Sequence, residues 1–142
     1  MKQYRIGYTQ GVFDMFHIGH LNLLKRAKEQ CDFLIVGVNS DELVMQYKQK
    51  TPIIRETERK AIIENIKCVD QAEIVDTLDK LNAWNRFHFD AIFIGSDWKG
   101  NSRWEETGRQ LRQVGADLVY LPYTDGISST ILRKDADQKV EG

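Results

Sequence analysis

Two histidines three residues apart, His17 and His20, stand just after a glycine turn that follows an apolar, strand-like run from Tyr4 to Tyr8. Behind them begins a helical pattern of Leu21, Leu23, Leu24 and Ala27. A turn between a strand and a helix N-terminus is where a parallel α/β sheet holds phosphate, because free backbone N–H groups meet the positive end of the helix dipole there. At a spacing of three, the two imidazoles fall on one side of the first helical turn. The stretch Gln10-Gly11-Val12-Phe13-Asp14-Met15-Phe16-His17-Ile18-Gly19-His20 therefore reads as a phosphate site equipped with proton donors. Gly19, lacking a side chain, lets a nucleotide approach the backbone. A His-x-x-His pair in isolation would be a surface pair or a chance metal site; the strand and the Gly-x-Phe-Asp ahead of it favour phosphate.

The rest of the chain must position this turn. Apolar runs alternate with helical periodicity, the pattern of a parallel sheet covered by helices on both faces. Asp32 to Asn39 is a nearly continuous hydrophobic run, as a strand buried on both sides requires. Ser40-Asp41 can cap a short helix through Met45 or Gln46, and Tyr47 to Arg55, with Lys48, Lys50 and Pro52, reads as a loop. An amphipathic helix follows over about residues 57–67, with Ala61, Ile62, Ile63 and Ile66 on its apolar side. Then come a short strand at 72–75, a helix at 78–87, a buried strand at 91–95 and a helix at 103–114 stopped by Gly115. A last strand at 117–121 and a terminal helix at 127–134 precede a polar tail, 135–142.

About five strands joined by right-handed crossovers make a single Rossmann-like, doubly wound α/β domain over residues 1–134, with ligands gathering at the strand C-terminal ends. Three loops fall at such ends: residues 9–20, 95–102 and 121–130.

Composition narrows the function. At 142 residues there is room for one core. With 20 basic and 21 acidic residues the net charge is −1, so nothing draws the chain globally to nucleic acid or an anionic membrane. No apolar run approaches the roughly 20 residues that span a bilayer, and the N-terminus has no signal-like segment; the expected location is the cytoplasm. Cys31 and Cys68 belong to no motif and are expected reduced.

The second loop, Gly95-Ser96-Asp97-Trp98-Lys99-Gly100, sets an acid, an aromatic and a base between glycines. Asp97 can simply begin a turn with Trp98 packed on the rim; alternatively Trp98 shapes a base or ribose site and Asp97 binds a hydroxyl or metal. The third, Pro122-Tyr123-Thr124-Asp125-Gly126-Ile127-Ser128-Ser129-Thr130, puts three hydroxyls at a helix start. Such hydroxyls are commonly an N-cap, but beside a phosphate site they can hold the outer phosphates of a triphosphate.

His17-Ile18-Gly19-His20 resembles the HxGH signature of the nucleotidylyltransferase superfamily, and the longer Gly11-x-Phe13-Asp14-x-x-His17-x-Gly19-His20 resembles its cytidylyltransferase branch. The second loop is similar to the GDDWEG segment of glycerol-3-phosphate cytidylyltransferases, with Ser96 in place of an Asp, and the third to their RTEGIST motif, with Tyr123 for Arg and Asp125 for Glu. Val12 stands where GTFD carries Thr. Glu58-Arg59-Lys60 and Ile66-Lys67-Cys68-Val69-Asp70 resemble the ExRxxxI…RxVD pattern. The resemblance covers residues 5 to 134.

It implies transfer of CMP from CTP to a small phosphorylated alcohol such as glycerol 3-phosphate, by attack of a phosphate oxygen on the α-phosphorus. Positioning and charge stabilisation then supply the catalysis. His17 and His20 would donate hydrogen bonds to the α-phosphate and bridging oxygens, with Lys48 as a third catalytic group that also meets the acceptor phosphate. Gly11, Val12, Phe13, Gly19, Asp97 and Trp98 would contact the nucleotide, and Thr124, Gly126, Ile127, Ser128, Ser129 and Thr130 would close over it. Asp14, Arg59 and Lys67 would complete the acceptor site. Mg²⁺ is expected on the triphosphate, held largely by phosphates and water with few protein ligands, and a homodimer is implied. The alternatives are a cytidylyltransferase for phosphocholine, phosphoethanolamine, a sugar-alcohol phosphate or a phosphonate, a non-catalytic nucleotide-binding module, and a metal-binding protein using the two histidines.

Overall fold

A computed structural model describes residues 2–122. Its elements follow in the order β1 (Tyr4–Gly11), α1 (Ile18–Glu29), β2 (Cys31–Asn39), α2 (Asp41–Lys48), α3 (Glu56–Glu64), β3 (Gln71–Val75), α4 (Lys80–Phe87), β4 (Ala91–Gly95), α5 (Ser102–Gln113) and β5 (Asp117–Leu121). A single 3₁₀ turn, Ser96–Trp98, follows β4. The sheet is five-stranded and parallel throughout, in the order β3-β2-β1-β4-β5. This is the doubly wound, Rossmann-like arrangement expected from the alternation of apolar runs with helical segments. The expected helix at 127–134, the tail 135–142 and the phosphate-closing residues Thr124, Gly126, Ile127, Ser128, Ser129 and Thr130 lie outside the described residues.

Side-chain alternation along the strands splits the core in two. Leu34, Val36 and Val38 of β2 pack with Leu24 and Ala27 of α1 and Ile63 of α3. Ile35 points the other way and packs with Ala83 and Phe87 of α4 and Leu111 of α5. Tyr8 stacks between Phe87 and Phe89 in that second layer, at ring separations of 5.2 and 4.9 Å.

Two helices differ from the expected spans. α2 runs on through Lys48 and closes on Gln49, which takes a left-handed φ of 56° and donates its N–H to the Met45 carbonyl at 3.0 Å. Tyr47 and Lys48 therefore sit on a helix, not in a loop. α3 stops at Glu64, and its inward face is Arg59 and Ile63 with Ile66 beyond, whereas Ile62 is 39% exposed and Ala61 faces solvent. Residues 59, 63 and 66 share one helical stripe, and Ile62 lies roughly 100° off it.

The sheet opens where a ligand would need it to. β1 pairs with β2 at seven positions, but with β4 only at Gly7↔Ala91 and Tyr8↔Ile92. Beyond Ile92 the strands part, and the buried Thr9 hydroxyl spans the gap by donating to the Phe93 carbonyl at 2.9 Å. This is the switch point of the sheet, because β1 leads to α1 on one face and β4 to α5 on the other.

Candidate active site

The histidine pair stands at the mouth of that opening. His17 is the N-cap of α1: its Nδ1 accepts the Gly19 N–H at 3.0 Å, while the Nδ1 of His20 accepts the His17 N–H at 3.2 Å. The two imidazoles thus form a reciprocal capping box, a role usually filled by a hydroxyl and a Glu or Gln. A backbone N–H can only donate, so each Nδ1 is an acceptor, and in the neutral ring the proton resides on Nε2. The hydrogen-bond network therefore assigns both tautomers.

The surroundings keep the rings uncharged. Their centroids are 3.9 Å apart in a stacked arrangement, with Phe13 edge-on to His20 at 5.5 Å and Phe16 tilted against it at 5.4 Å. Burial pushes the His20 pKa down from 6.5 to about 4, helped by the neighbouring His17 and opposed by Asp14. Burial also lowers that of His17. Two neutral Nε2–H donors on the first turn of a helix suit a ligand that brings its own negative charge.

The turn before them is wound tightly. Phe13 and Met15 adopt left-handed φ values of 54° and 50°, a conformation that costs side-chain-bearing residues of order 1–3 kcal/mol each. Asp14 lies between them, 5% exposed, and holds the turn: its carboxylate accepts the N–H groups of Met15, Ile53 and Ile54 at 3.1, 2.8 and 2.9 Å. Gly11 permits the fold-back, since a Cβ there would lie 3.2 Å from the Phe13 ring.

Arg59 performs the same service on a larger scale. Its Nε donates to the Ile54 carbonyl at 2.8 Å, Nη1 to the carbonyls of Val12 and Asn39 at 2.8 and 2.7 Å, and Nη2 to Asp41 at 2.6 Å. The N-termini of α2 and α3 also cap each other, Asp41 N–H to Glu56 at 3.0 Å and Glu56 N–H to Asp41 at 3.3 Å. Turn 12–16, the end of β2 and the segment before α3 are therefore one braced unit.

These contacts bear on two expectations. Arg59, 1% exposed and with four hydrogen bonds made within the protein, braces the turn from inside. Asp14 accepts the Ile53 and Ile54 N–H groups, so its carboxylate ties the turn to the segment before α3. Lys67 is exposed in the turn between α3 and β3. That turn leads into the N-terminal end of β3, the opposite end of the sheet from the histidines, and the structure does not bring Lys67 to them.

The other expected residues gather at the strand C-terminal ends. Gly11, Val12 and Phe13 form the turn itself, and Gly19 donates to His17. Asp97 and Trp98 are exposed on the 3₁₀ turn at the end of β4, across the opening from β1. Lys48 ends α2, with its ammonium 5.7 Å from the centre of the Tyr47 ring. Sequence reasoning missed Thr9, Gln10, Asn39 and Tyr47, of which Gln10, Asn39 and Tyr47 form one polar chain behind Lys48. Asn39 had left a signal, as the polar residue that ends an otherwise apolar strand.

Residues 8–135 match the family model described as cytidylyltransferase-like. The chain belongs to the cytidylyltransferase-like family. It is 39% identical to the glycerol-3-phosphate cytidylyltransferase of Bacillus spizizenii (strain ATCC 23059 / NRRL B-14472 / W23), over 89% of this chain and 93% of that one. Its identity to the Bacillus subtilis (strain 168) protein of the same name is 34%, over 89% and 93% of the two chains. Among solved structures, it resembles the lipopolysaccharide core biosynthesis protein from Thermoplasma volcanium GSS1, with a TM-score of 0.75 and 29% identity over 86% of this chain and 99% of that one. In this cytidylyltransferase-like chain the histidines, the β1/β4 opening and the braced turn fall inside the matched span.

Proposed function

We propose that the protein is a CTP-dependent nucleotidyltransferase that moves CMP to the phosphate of a small phosphorylated alcohol, glycerol 3-phosphate first among the candidates. The observation that carries this reading is the pair of stacked, backbone-capped histidines held as neutral Nε2–H donors beside the switch point of the sheet. An oxygen of the acceptor phosphate attacks the α-phosphorus of CTP. One P–O bond forms, the bond from the α-phosphorus to the bridging oxygen breaks, and pyrophosphate leaves with that electron pair. The attacking oxygen is already anionic, so no protein base is required. Catalysis consists of holding the two phosphates in line and stabilising the charge that develops.

In this scheme the Nε2–H groups of His17 and His20 donate to the α-phosphate and bridging oxygens, and Lys48 holds the acceptor phosphate and screens its approach. Trp98 and Asp97 border the base and ribose, and Thr124, Gly126, Ile127, Ser128, Ser129 and Thr130 take the outer phosphates. Among the described residues no group of three or more His, Cys, Asp or Glu is placed to hold a metal ion. We take Mg²⁺ to enter with the CTP substrate, carried mainly by its phosphates. No helix among the described residues is long and apolar enough to cross a membrane, and we place the reaction in the cytoplasm, with the protein acting as a homodimer.

The test is pyrophosphate release from CTP across glycerol 3-phosphate, phosphocholine, phosphoethanolamine, ribitol and erythritol phosphates and a small phosphonate, with ATP as the alternative donor. Turnover with CTP and one acceptor is expected. Silence with every acceptor, or preference for ATP, would overturn the assignment.

A further inference from the structure

A chain of hydrogen bonds with a fixed direction crosses the C-terminal ends of β1, β2 and β3. The Tyr8 hydroxyl lies 2.6 Å from Gln10 Oε1. Gln10 Nε2 donates to Asn39 Oδ1 at 2.9 Å and to the Thr77 carbonyl at 3.0 Å, and Asn39 Nδ2 donates to the Tyr47 hydroxyl oxygen at 3.1 Å. The Thr77 carbonyl can only accept, so it fixes which end of the Gln10 amide is nitrogen. With both Gln10 protons thereby directed to Thr77 and Asn39, Gln10 Oε1 must receive the Tyr8 proton. Asn39 must then present its oxygen to Gln10 and its nitrogen to Tyr47. Along the line Tyr8, Gln10, Asn39, Tyr47 each donation runs outward from the core, with the Thr77 carbonyl taking the second Gln10 proton.

The consequence falls on the last member. Tyr47 receives a proton from Asn39, and among the described residues its own hydroxyl proton has no acceptor. Burial raises its pKa, so that proton is retained at neutral pH. Asn39 is 3% exposed and Tyr47 39%, which makes the chain anchored at its inner end and open at its outer one. The chain also constrains the sheet: a Cβ at Gly37 would lie 2.2 Å from the Tyr8 hydroxyl oxygen, so only glycine there lets that hydroxyl reach Gln10. The Lys48 ammonium lies 5.7 Å from the Tyr47 ring centre. A hydroxyl donor with an ammonium over the same ring matches an anionic oxygen.

We infer that Tyr47 is a specificity-determining residue for the acceptor, its hydroxyl donating a hydrogen bond to an oxygen of the acceptor's phosphate next to Lys48. Tyr8, Gln10 and Asn39 are positioning residues that act by fixing which way that proton points. The identity of the ligand rests on the transfer reading above; the direction of the hydrogen-bond chain does not.

The experiment is calorimetric titration of glycerol 3-phosphate into the full-length protein in the presence of a non-hydrolysable α,β-methylene analogue of CTP. Tyr47→Phe keeps the ring and removes only the donor; its acceptor Kd is expected to rise roughly tenfold, with affinity for the CTP analogue within twofold of the parent. Asn39→Asp keeps the shape but offers Tyr47 an acceptor, which draws the hydroxyl proton inward, and the same weakening is expected with Tyr47 intact. A structural role alone would leave acceptor affinity unmoved in a folded Tyr47→Phe protein, and that result would overturn the assignment, as would a parent protein that binds no glycerol 3-phosphate. If Asn39→Asp does not fold, the Tyr47→Phe titration decides alone. A parent that binds glycerol 3-phosphate through Tyr47 yet releases no pyrophosphate from CTP would overturn the catalytic reading and leave Tyr47 in place.

Discussion

His17 and His20 cap the same helix for each other, with their rings stacked 3.9 Å apart and each Nδ1 bound to a backbone N–H. The atoms that build the start of α1 and those assigned to the α-phosphate belong to the same two side chains. Protonating either Nδ1 removes an acceptor that the helix needs, so acid should attack the fold and the site together. The sign follows from the His20 pKa, which is pushed below 6.5 to about 4. Below 6.5 the unfolded chain takes up a proton that the folded chain refuses, so this stability is fully present above about 6.5 and is lost as the pH falls toward 4. Urea midpoints measured between pH 7 and pH 4 should drop by the equivalent of about 3 kcal/mol more in the parent than in His20→Gln, which lacks the titrating ring.

The same geometry separates the structural from the catalytic role. Glutamine is a usual partner at the third position of a capping box and serine a usual N-cap. His20→Gln and His17→Ser should therefore fold with urea midpoints close to the parent while kcat falls roughly 10²–10³-fold, the scale of one lost transition-state donor. The alanine versions should lose the activity and, in addition, about 1 kcal/mol of stability. Near-parental turnover in His20→Gln would sink the mechanism.

How far the sequence foretold all this depends on the range of the interactions involved. β4 at 91–95 and β5 at 117–121 were legible because an apolar run between turn residues is a local signal. The histidine turn was legible for the same reason: His17, Gly19 and His20 are contiguous with the strand and helix that hold them. The bracing role of Arg59 was not legible, because a cation on a helix carries no local mark of burial. Its burial depends on acceptors from Val12, Asn39, Asp41 and Ile54, four points that only the fold brings together. Tyr47 was hidden by a boundary, since no glycine marks the end of α2 and Gln49 closes the helix in a conformation that glycine or asparagine usually supplies.

Asp14 ties the histidine turn to the segment that follows Lys50, through the Ile53 and Ile54 N–H groups. Asparagine has one acceptor oxygen where the carboxylate has two, and its amide nitrogen would face a backbone N–H. Asp14→Asn should therefore destabilise the protein by about 1–3 kcal/mol, the scale of a buried donor left unsatisfied. Hydrogen exchange gives the sharper reading: the Ile53 and Ile54 amides should lose protection before the amides of β2 do. If they exchange at the parental rate, the clamp described for Asp14 is wrong.

Arg59→Lys distinguishes a brace from a ligand. A lysine keeps the charge, but its single ammonium cannot span the Val12 and Asn39 carbonyls, the Ile54 carbonyl and Asp41, which the planar guanidinium reaches together. At least two of these acceptors would be left buried without a donor. The expected result is a loss of about 3–5 kcal/mol in urea denaturation, the range for breaking a buried charged cluster. Because Val12 belongs to the turn proposed for the nucleotide and Ile54 to the segment beyond Lys50, the affinities for CTP and for the acceptor should fall together in any Arg59→Lys protein that still folds. A folded variant of parental stability that has lost only acceptor affinity would return Arg59 to the substrate and remove the brace from the structure's account.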